Sequence, residues 1–342
     1  MMSEIQKQLH IPALDGWRGL AVLLVLIGHF GGDSYLPDLG SAGVDLFFVL
    51  SGRLMAEILF VRKMPLRLFF LRRFSRVYPA LLAFVLASAV LLSQTPLAPG
   101  VTGVLSALTF TLNYVIIESR TFIPVFDHIW SLCVEEHSYV LLALMALLLR
   151  GAAVRFIGLT ILALGLAALA NGIVQYDIYG RDPFIVFWPT DVAAAPMLIS
   201  AAVFLLFGER LKRPAIRWIM PLALFGGLVA RLFGDVAWLF FGAKTLLLAI
   251  AVCAIGDSTR LSRALFEGSV IRQIGRMSFS LYLWQQPFHI AMLQDLLPKP
   301  IALVLAICCA AASYHLIEQP ARARLNAWIE RGRRQDAAAV PG

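Results

Sequence analysis

Apolar runs of membrane-spanning length alternate along this chain with short basic segments. A spanning helix needs roughly 20 mostly apolar residues. Ten such runs can be drawn: 13–30, 43–61, 77–94, 133–149, 155–173, 188–207, 215–233, 236–255, 276–294 and 300–317. The pattern predicts an all-α fold, a polytopic membrane helix bundle of about ten transmembrane helices. An eleventh run, 101–117 (VTGVLSALTFTLNYVII), is long enough to compete. The positions of Lys and Arg arbitrate, because cytoplasmic loops carry the excess of positive charge. Take ten spans, both termini cytoplasmic, and 101–117 as a re-entrant or surface helix on the outer side. Then only Arg120, Arg181 and Lys299 face outward, and Arg18, Arg53, Arg231 and Lys244 fall within spans. The other basic residues, from Lys7 through the cluster at 62–76 to those after 319, lie inside. If 101–117 crossed, Arg150 and Arg155 would face outward and everything after them would invert.

Composition agrees with a membrane protein. Of 342 residues, 60% are hydrophobic and 15% charged, with a mean hydropathy of +0.80. Soluble domains carry roughly 25% charge. The net charge of +8 invites a nucleic-acid partner. The basic residues, however, sit in short runs between spans and are not interleaved with aromatics on one face, so no nucleic acid is expected. Cys133, Cys253, Cys308 and Cys309 lie in or beside apolar stretches, with no CxxC or Cys/His spacing. They read as packing residues, with neither metal nor disulfide. The first run lacks a small-residue cleavage site and reads as a first span rather than a signal peptide. No soluble domain and no internal repeat stand out. One membrane domain is expected over 1–342, with a core of about 10–319 and a basic cytoplasmic tail at 320–342.

Ionisable groups inside spans are costly and are the first functional candidates. In GWRGLAVLLVLIGHF (16–30), Arg18 and His29 are eleven positions apart. That brings them to within roughly 20° of one helix face, about 16 Å apart along the axis. Asp15 can pair with Arg18 at i, i+3. A neutral imidazole at His29 suits a general base; the plainer reading is a snorkelling arginine and an interface histidine. In GVDLFFVLSGRLMAEI (43–58), Arg53 and Glu57 can neutralise each other at i, i+4, and Asp45 lies at the depth of His29 and could orient its ring. In RLFFLRRFSRVYPA (67–80), Arg67, Arg72, Arg73 and Arg76 crowd the cytoplasmic side, where arginine forks suit phosphate. The alternative there is ordinary positive-inside charge or anionic lipid. In DHIWSLCVEEHSYVLL (127–142), Asp127, His128, Glu135, Glu136 and His137 gather at the outer end of a span. The adjacent carboxylates point to different helix faces, so one would meet the site and the other a neighbouring helix. In RMSFSLYLWQQPFHI (276–290), Gln285, Gln286 and His289 interrupt an apolar span, as site groups or as polar glue between helices. Pro287 should kink that span.

Taken in order, these segments resemble the acyltransferase 3 family of multi-span O-acyltransferases. LDGWRGLAVLLVLIGH (14–29) matches the family's opening L-D-G-x-R-G with its R-x10-H spacing, and GVDLFFVLSG (43–52) its second segment. Arg73, Arg76 and Pro79 match the R-x-x-R followed by proline, and WSLCVEE (130–136) the W-S-L-x-x-E. SLYLW (280–284) and LIEQP (316–320) complete the series. Two positions depart: Gln285 stands where members often carry histidine, and Arg53 where many carry an apolar or aromatic residue. No fused extracytoplasmic esterase-like domain is expected in this chain.

The resemblance implies transfer of an acyl group, usually acetyl, from cytoplasmic acyl-CoA to a hydroxyl of a carbohydrate or glycolipid acceptor, in the inner (plasma) membrane. On that basis Arg72, Arg73 and Arg76 would hold the phosphates of acyl-CoA. His29 would activate the hydroxyl or relay the acyl group. Asp45 or Glu135 would orient the ring, and Arg18 would hold the thioester end or fix the helix. The competing class is a secondary transporter with the buried charges as its path; the paired halves usual in transporters are not seen. Acceptor, acyl chain and oligomeric state are not written in the sequence.

Overall fold

The computed structural model describes residues 11–31, 39–211, 213, 217–233, 235–255 and 259–338. Lys7, Lys212 and 339–342, which entered the charge count and the expected tail, lie outside the described residues. Among the described residues every regular element is helical. Six helices are long and apolar enough to cross a membrane: Pro12–Gly31, Leu66–Leu91, Asp127–Leu148, Val154–Tyr179, Thr190–Leu211 and Lys299–Arg333. Ile219–Ala230 and Trp238–Cys253 are apolar but shorter. The run 101–117 is two helices, Gly100–Leu108 and Leu112–Ser119, of 9 and 8 residues. Each rises only about 12–14 Å, too little to span. Phe110, between them, has a φ of 57°.

The chain divides into two compact units, Met1–Glu57 with Ser138–Ser278, and Ile58–His137 with Phe279–Gly342. In the first unit, Pro12–Gly31 packs against Leu39–Ala56, and backbone closeness is set by glycine. Gly43 meets the Ala21 carbonyl and Val25, and Gly28 meets the Gly40 backbone. The indole N–H of buried Trp17 donates to the Leu46 carbonyl at 3.0 Å. The opposite side of the first helix receives two short helices, Arg260–Glu267 and Ser269–Arg276. There Gly16 touches the Phe266 carbonyl, Gly19 the Ile271 carbonyl, and Gly275 the Asp15 carbonyl. The glycines of LDGWRG thus serve close helix contact, as small residues do at membrane interfaces. Ala195–Leu211, buried from Ala195 to Phe204, is the centre of this unit. Ser200 Oγ donates to the Val49 carbonyl at 2.6 Å, Gly52 packs on the Met197 carbonyl, and Gly158 and Gly165 bring Val154–Tyr179 onto Leu206 and Ile199.

In the second unit, Leu66–Leu91 pairs with the end of a long helical run from Lys299 to Ala338, which passes through a π-helical turn at Tyr314–Glu318. The segment expected as a tail after 319 is therefore helix as far as Ala338. It is fastened by Arg72 Nη2 to Glu330 Oε1 at 2.8 Å and by Ser75 Oγ to Asn326 Oδ1 at 3.0 Å. Phe84 is fully buried among Phe126, His128 and Trp284, with ring centroids 5.8, 5.6 and 5.4 Å away. Pro287 lies inside the helix Ser278–Leu293 without ending it.

A methyl group at Gly275 has only the Asp15 carbonyl and the Gly19 amide to move into. Gly275→Ala is expected to lower stability by about 1–3 kcal/mol. Gly242→Ala, where a methyl meets nothing within 4 Å, should leave it unchanged, both read by thermal unfolding of the purified protein.

Candidate functional site

In the first unit, His29 lies in the last turn of its helix with its ring edge over Gly40. A methyl on Gly40 would stand 3.3 Å from Nε2 and Cδ2. The close approach of Gly28 to Gly40 is what brings the ring there. Arg18 Nη1 donates to Asp15 Oδ1 at 3.3 Å, the expected pair, with Asp15 buried. Arg53 Nη1 is 3.5 Å from Glu57 Oε2, also as expected, and its guanidinium lies 5.2 Å from the Phe204 ring centre.

Asp45 has partners that the sequence reading set aside. Its Oδ2 accepts from Arg231 Nη1 at 2.5 Å and from Lys244 Nζ at 2.8 Å. Both cations also lie against the Phe240 ring, Lys244 at 4.3 Å and Arg231 at 5.3 Å from its centre. Arg231 and Lys244 were visible as charges within predicted spans. The rule that flagged Arg53 applies to them equally, and a carboxylate 186 and 199 residues away in the chain was the missing partner.

The second unit gathers residues from four motifs. Arg73 Nε donates to Glu136 Oε1 at 2.6 Å, and its Nη2 is 3.2 Å from Glu135 Oε2. The expectation that the adjacent carboxylates part company is corrected here. A guanidinium donates from several edges, and two glutamate side chains can close the roughly 100° between neighbours on a helix. The helical run begins at Asp127, and both acids lie two turns or more inside it. Arg76 acts electrostatically on Glu136 and on Glu318. Glu318, buried, accepts from Ser280 Oγ at 2.6 Å, which joins SLYLW to LIEQP. Tyr282 O–H lies 2.7 Å from the His128 carbonyl and 2.6 Å from Ser131 Oγ. Gln286 Nε2 donates to the Pro124 carbonyl at 2.8 Å, and Gln285 to the Tyr282 carbonyl at 3.4 Å. These glutamines work as helix-to-loop and intrahelical glue.

Beside Arg73 and Glu136 is a cavity of about 430 Å³, walled by Phe70, Phe74, Tyr78 and Phe110, with Arg67 on its lining. Phe74 stacks on Tyr78 at 4.7 Å, and Tyr78 O–H donates to the Leu108 carbonyl at 3.0 Å. An apolar cleft of this size with one ion pair in its wall has the make-up of a small-molecule site. Of the residues expected to share one site, His29, Asp45 and Arg18 belong to the first unit, and Glu135, Arg72, Arg73 and Arg76 to the second. Among the described residues no three His, Cys, Asp or Glu side chains are gathered as a metal would need.

Comparison with known proteins places these residues in a family setting. Residues 11–314 match the acyltransferase domain of the acyltransferase 3 family. A protein of Staphylococcus aureus strain COL, named as an O-acetyltransferase, is 27% identical over 363 residues, covering 94% of this chain and 58% of the relative. The O-acetyltransferase OatA of S. aureus strain NCTC 8325 is 28% identical over 349 residues, covering 92% of this chain and 57% of the relative. The chain thus spans little more than half the length of these curated relatives. No solved structure matches it.

Arg73→Ala removes the guanidinium shared by two adjacent half-buried carboxylates and is expected to cost about 1–3 kcal/mol. Adding Glu136→Gln should recover part of that loss. A double-mutant cycle by chemical or thermal unfolding reads the coupling, and strict additivity would separate the two side chains energetically.

Proposed function

This chain belongs to the acyltransferase 3 family, and we propose that it is a membrane O-acetyltransferase. In this reading it moves acetyl from cytoplasmic acetyl-CoA to a hydroxyl of a surface or exported carbohydrate, such as an exopolysaccharide, an O-antigen or a glycolipid. About ten helices cross the inner (plasma) membrane with both termini cytoplasmic. The relatives' names support O-acetylation. The observation that carries the reading is the joining of family motifs by polar contacts: R-x-x-R to WSLCVEE through half-buried Arg73, and SLYLW to LIEQP through buried Ser280 and Glu318.

In the proposed reaction His29 takes the proton of the acceptor hydroxyl as its oxygen attacks the thioester carbonyl. The carbon–sulfur bond breaks, and the coenzyme thiolate leaves and takes up the proton. Asp45, tied to Arg231 and Lys244, would fix the helix beside His29, and Arg18 would anchor the other end of the same helix through Asp15. Glu135 would act through Arg73. The arginine helix 66–91 would face the phosphates of the donor, beside an open aromatic cleft of about 430 Å³. No metal enters this chemistry.

His29→Ala is expected to cut acetyl transfer by about 10²–10⁴-fold while the protein inserts and unfolds as the parent does. Transfer is read with radiolabelled acetyl-CoA in membranes, and full activity would remove His29 from the mechanism. Deleting the gene and comparing acetyl content of the cell's glycans by mass spectrometry should show loss of one O-acetyl mark. An unchanged glycan profile would sink the carbohydrate acceptor.

A further inference from the structure

The helix Gln319–Ala338 lies outside the matched family residues, which end at 314, yet it is fastened to the arginine helix. Two cross-helix hydrogen bonds fix how the pair is aligned. Arg72 meets Glu330 and Ser75 meets Asn326. As residue numbers rise on one helix they fall on the other, so the two run antiparallel. Going one further turn along each helix, at about 3.6 residues per turn, brings Arg322 opposite Pro79, one turn from Arg76. Asn326 and Glu330, on the face of Arg322, are both half-buried against the arginine helix, and Ile329 between them is buried. Arg322 itself is exposed to solvent.

Below this pair sits Glu318, one turn before Arg322. It is held in place by Ser280, which is wholly buried. The charges of Arg76 and Arg322 both act on its carboxylate. Meanwhile the guanidinium of Arg73 lies between Glu135 and Glu136, and that of Arg72 on Glu330. The surrounding surface is basic from both helices, with Arg62, Lys63 and Arg67 entering one and Arg324 on the other. A diphosphate-bearing ligand would meet positive charge on both sides.

We propose that the C-terminal helix completes the donor site, with Arg322 and Arg76 forming a two-helix fork for the phosphates of acyl-CoA and Glu318 as the residue that positions the fork. This rests on the acetyl-CoA reading above and adds to it a binding residue and an element that the motifs did not supply. Glu318 and Ser280 then explain why SLYLW and LIEQP are joined: their contact fixes the helix start from which Arg322 projects.

The test uses the full chain in nanodiscs of zwitterionic lipid, with two donors, acetyl-CoA and S-acetylpantetheine. The second carries the same thioester arm and no phosphate. Arg322→Ala should raise KM for acetyl-CoA about tenfold to a hundredfold, the loss expected for one charged hydrogen bond. kcat and the KM for acetylpantetheine should not change, and Arg322→Lys should recover part of the loss. Glu318→Gln, which keeps an acceptor for Ser280, should shift the acetyl-CoA KM in the same direction, whereas Arg331→Ala, on the exposed side of the same helix, should not. An unchanged acetyl-CoA KM in Arg322→Ala overturns the fork and assigns Arg322 to anionic lipid headgroups or to topology. Equal losses with both donors overturn it in favour of a structural role. A parent protein that transfers from neither donor overturns the acetyl-CoA reading, and this inference with it.

Discussion

Charge taken out of water must be neutralised where it sits, and this constraint organises both units. An unpaired ion in a low-dielectric interior costs several kcal/mol even after relaxation, so each ionisable group must arrive with its partner. Asp45 takes Arg231 and Lys244 from positions 186 and 199 residues away. Arg73 reaches across 63 residues to Glu136. Ser280 and Glu318, 38 residues apart, satisfy each other with a short bond. Such contacts add little net stability over a well-packed apolar alternative. Their effect is selective, because any other packing of the same helices strands a charge.

Polar side chains can meet only if backbones come close, and the glycines provide that. Gly16, Gly19 and Gly275 bring the first helix and Ser269–Arg276 to backbone contact, and Gly28 with Gly40 does the same beside His29. In lipid, where apolar side chains gain little by leaving the solvent, association depends on such close fit and on interhelical hydrogen bonds. The glycines of the opening motif therefore do a different job from its Arg18 and His29, although they share the segment.

The helical character was legible from apolar runs, and the local pairs Asp15–Arg18 and Arg53–Glu57 from helical spacing alone. The break at Phe110 was not, because VTGVLSALTFTLNYVII contains no proline or central glycine, and only the basic-residue pattern argued against its spanning. The pairing of Glu135 and Glu136 on one arginine was hidden by treating side chains as fixed rays from a helix, when long side chains bend. Arg231 and Lys244 were missed as site residues because their partner lies far off in sequence, which periodicity cannot reach. The division of the motifs between two units, each assembled from separate stretches of chain, is likewise a long-range property. The helix after 319 read as a tail because its basic residues mask the stripe of Leu325, Asn326, Ile329 and Glu330 that packs.

The carboxylates among the arginines bear on turnover. A cluster of uncompensated arginines would hold a polyphosphate tightly, and in the proposed role it would hold spent coenzyme as well as fresh donor. Binding both forms equally gains nothing in the chemical step. Glu135 and Glu136 are set against Arg73, and Glu330 against Arg72. An arriving phosphate must then share arginines with internal acids rather than fill an empty site. In the proposed role the acids would retake the guanidinium groups as the coenzyme leaves. On this view the glutamates of WSLCVEE set how briefly the donor stays, while Glu318 of LIEQP holds the arginine fork in place.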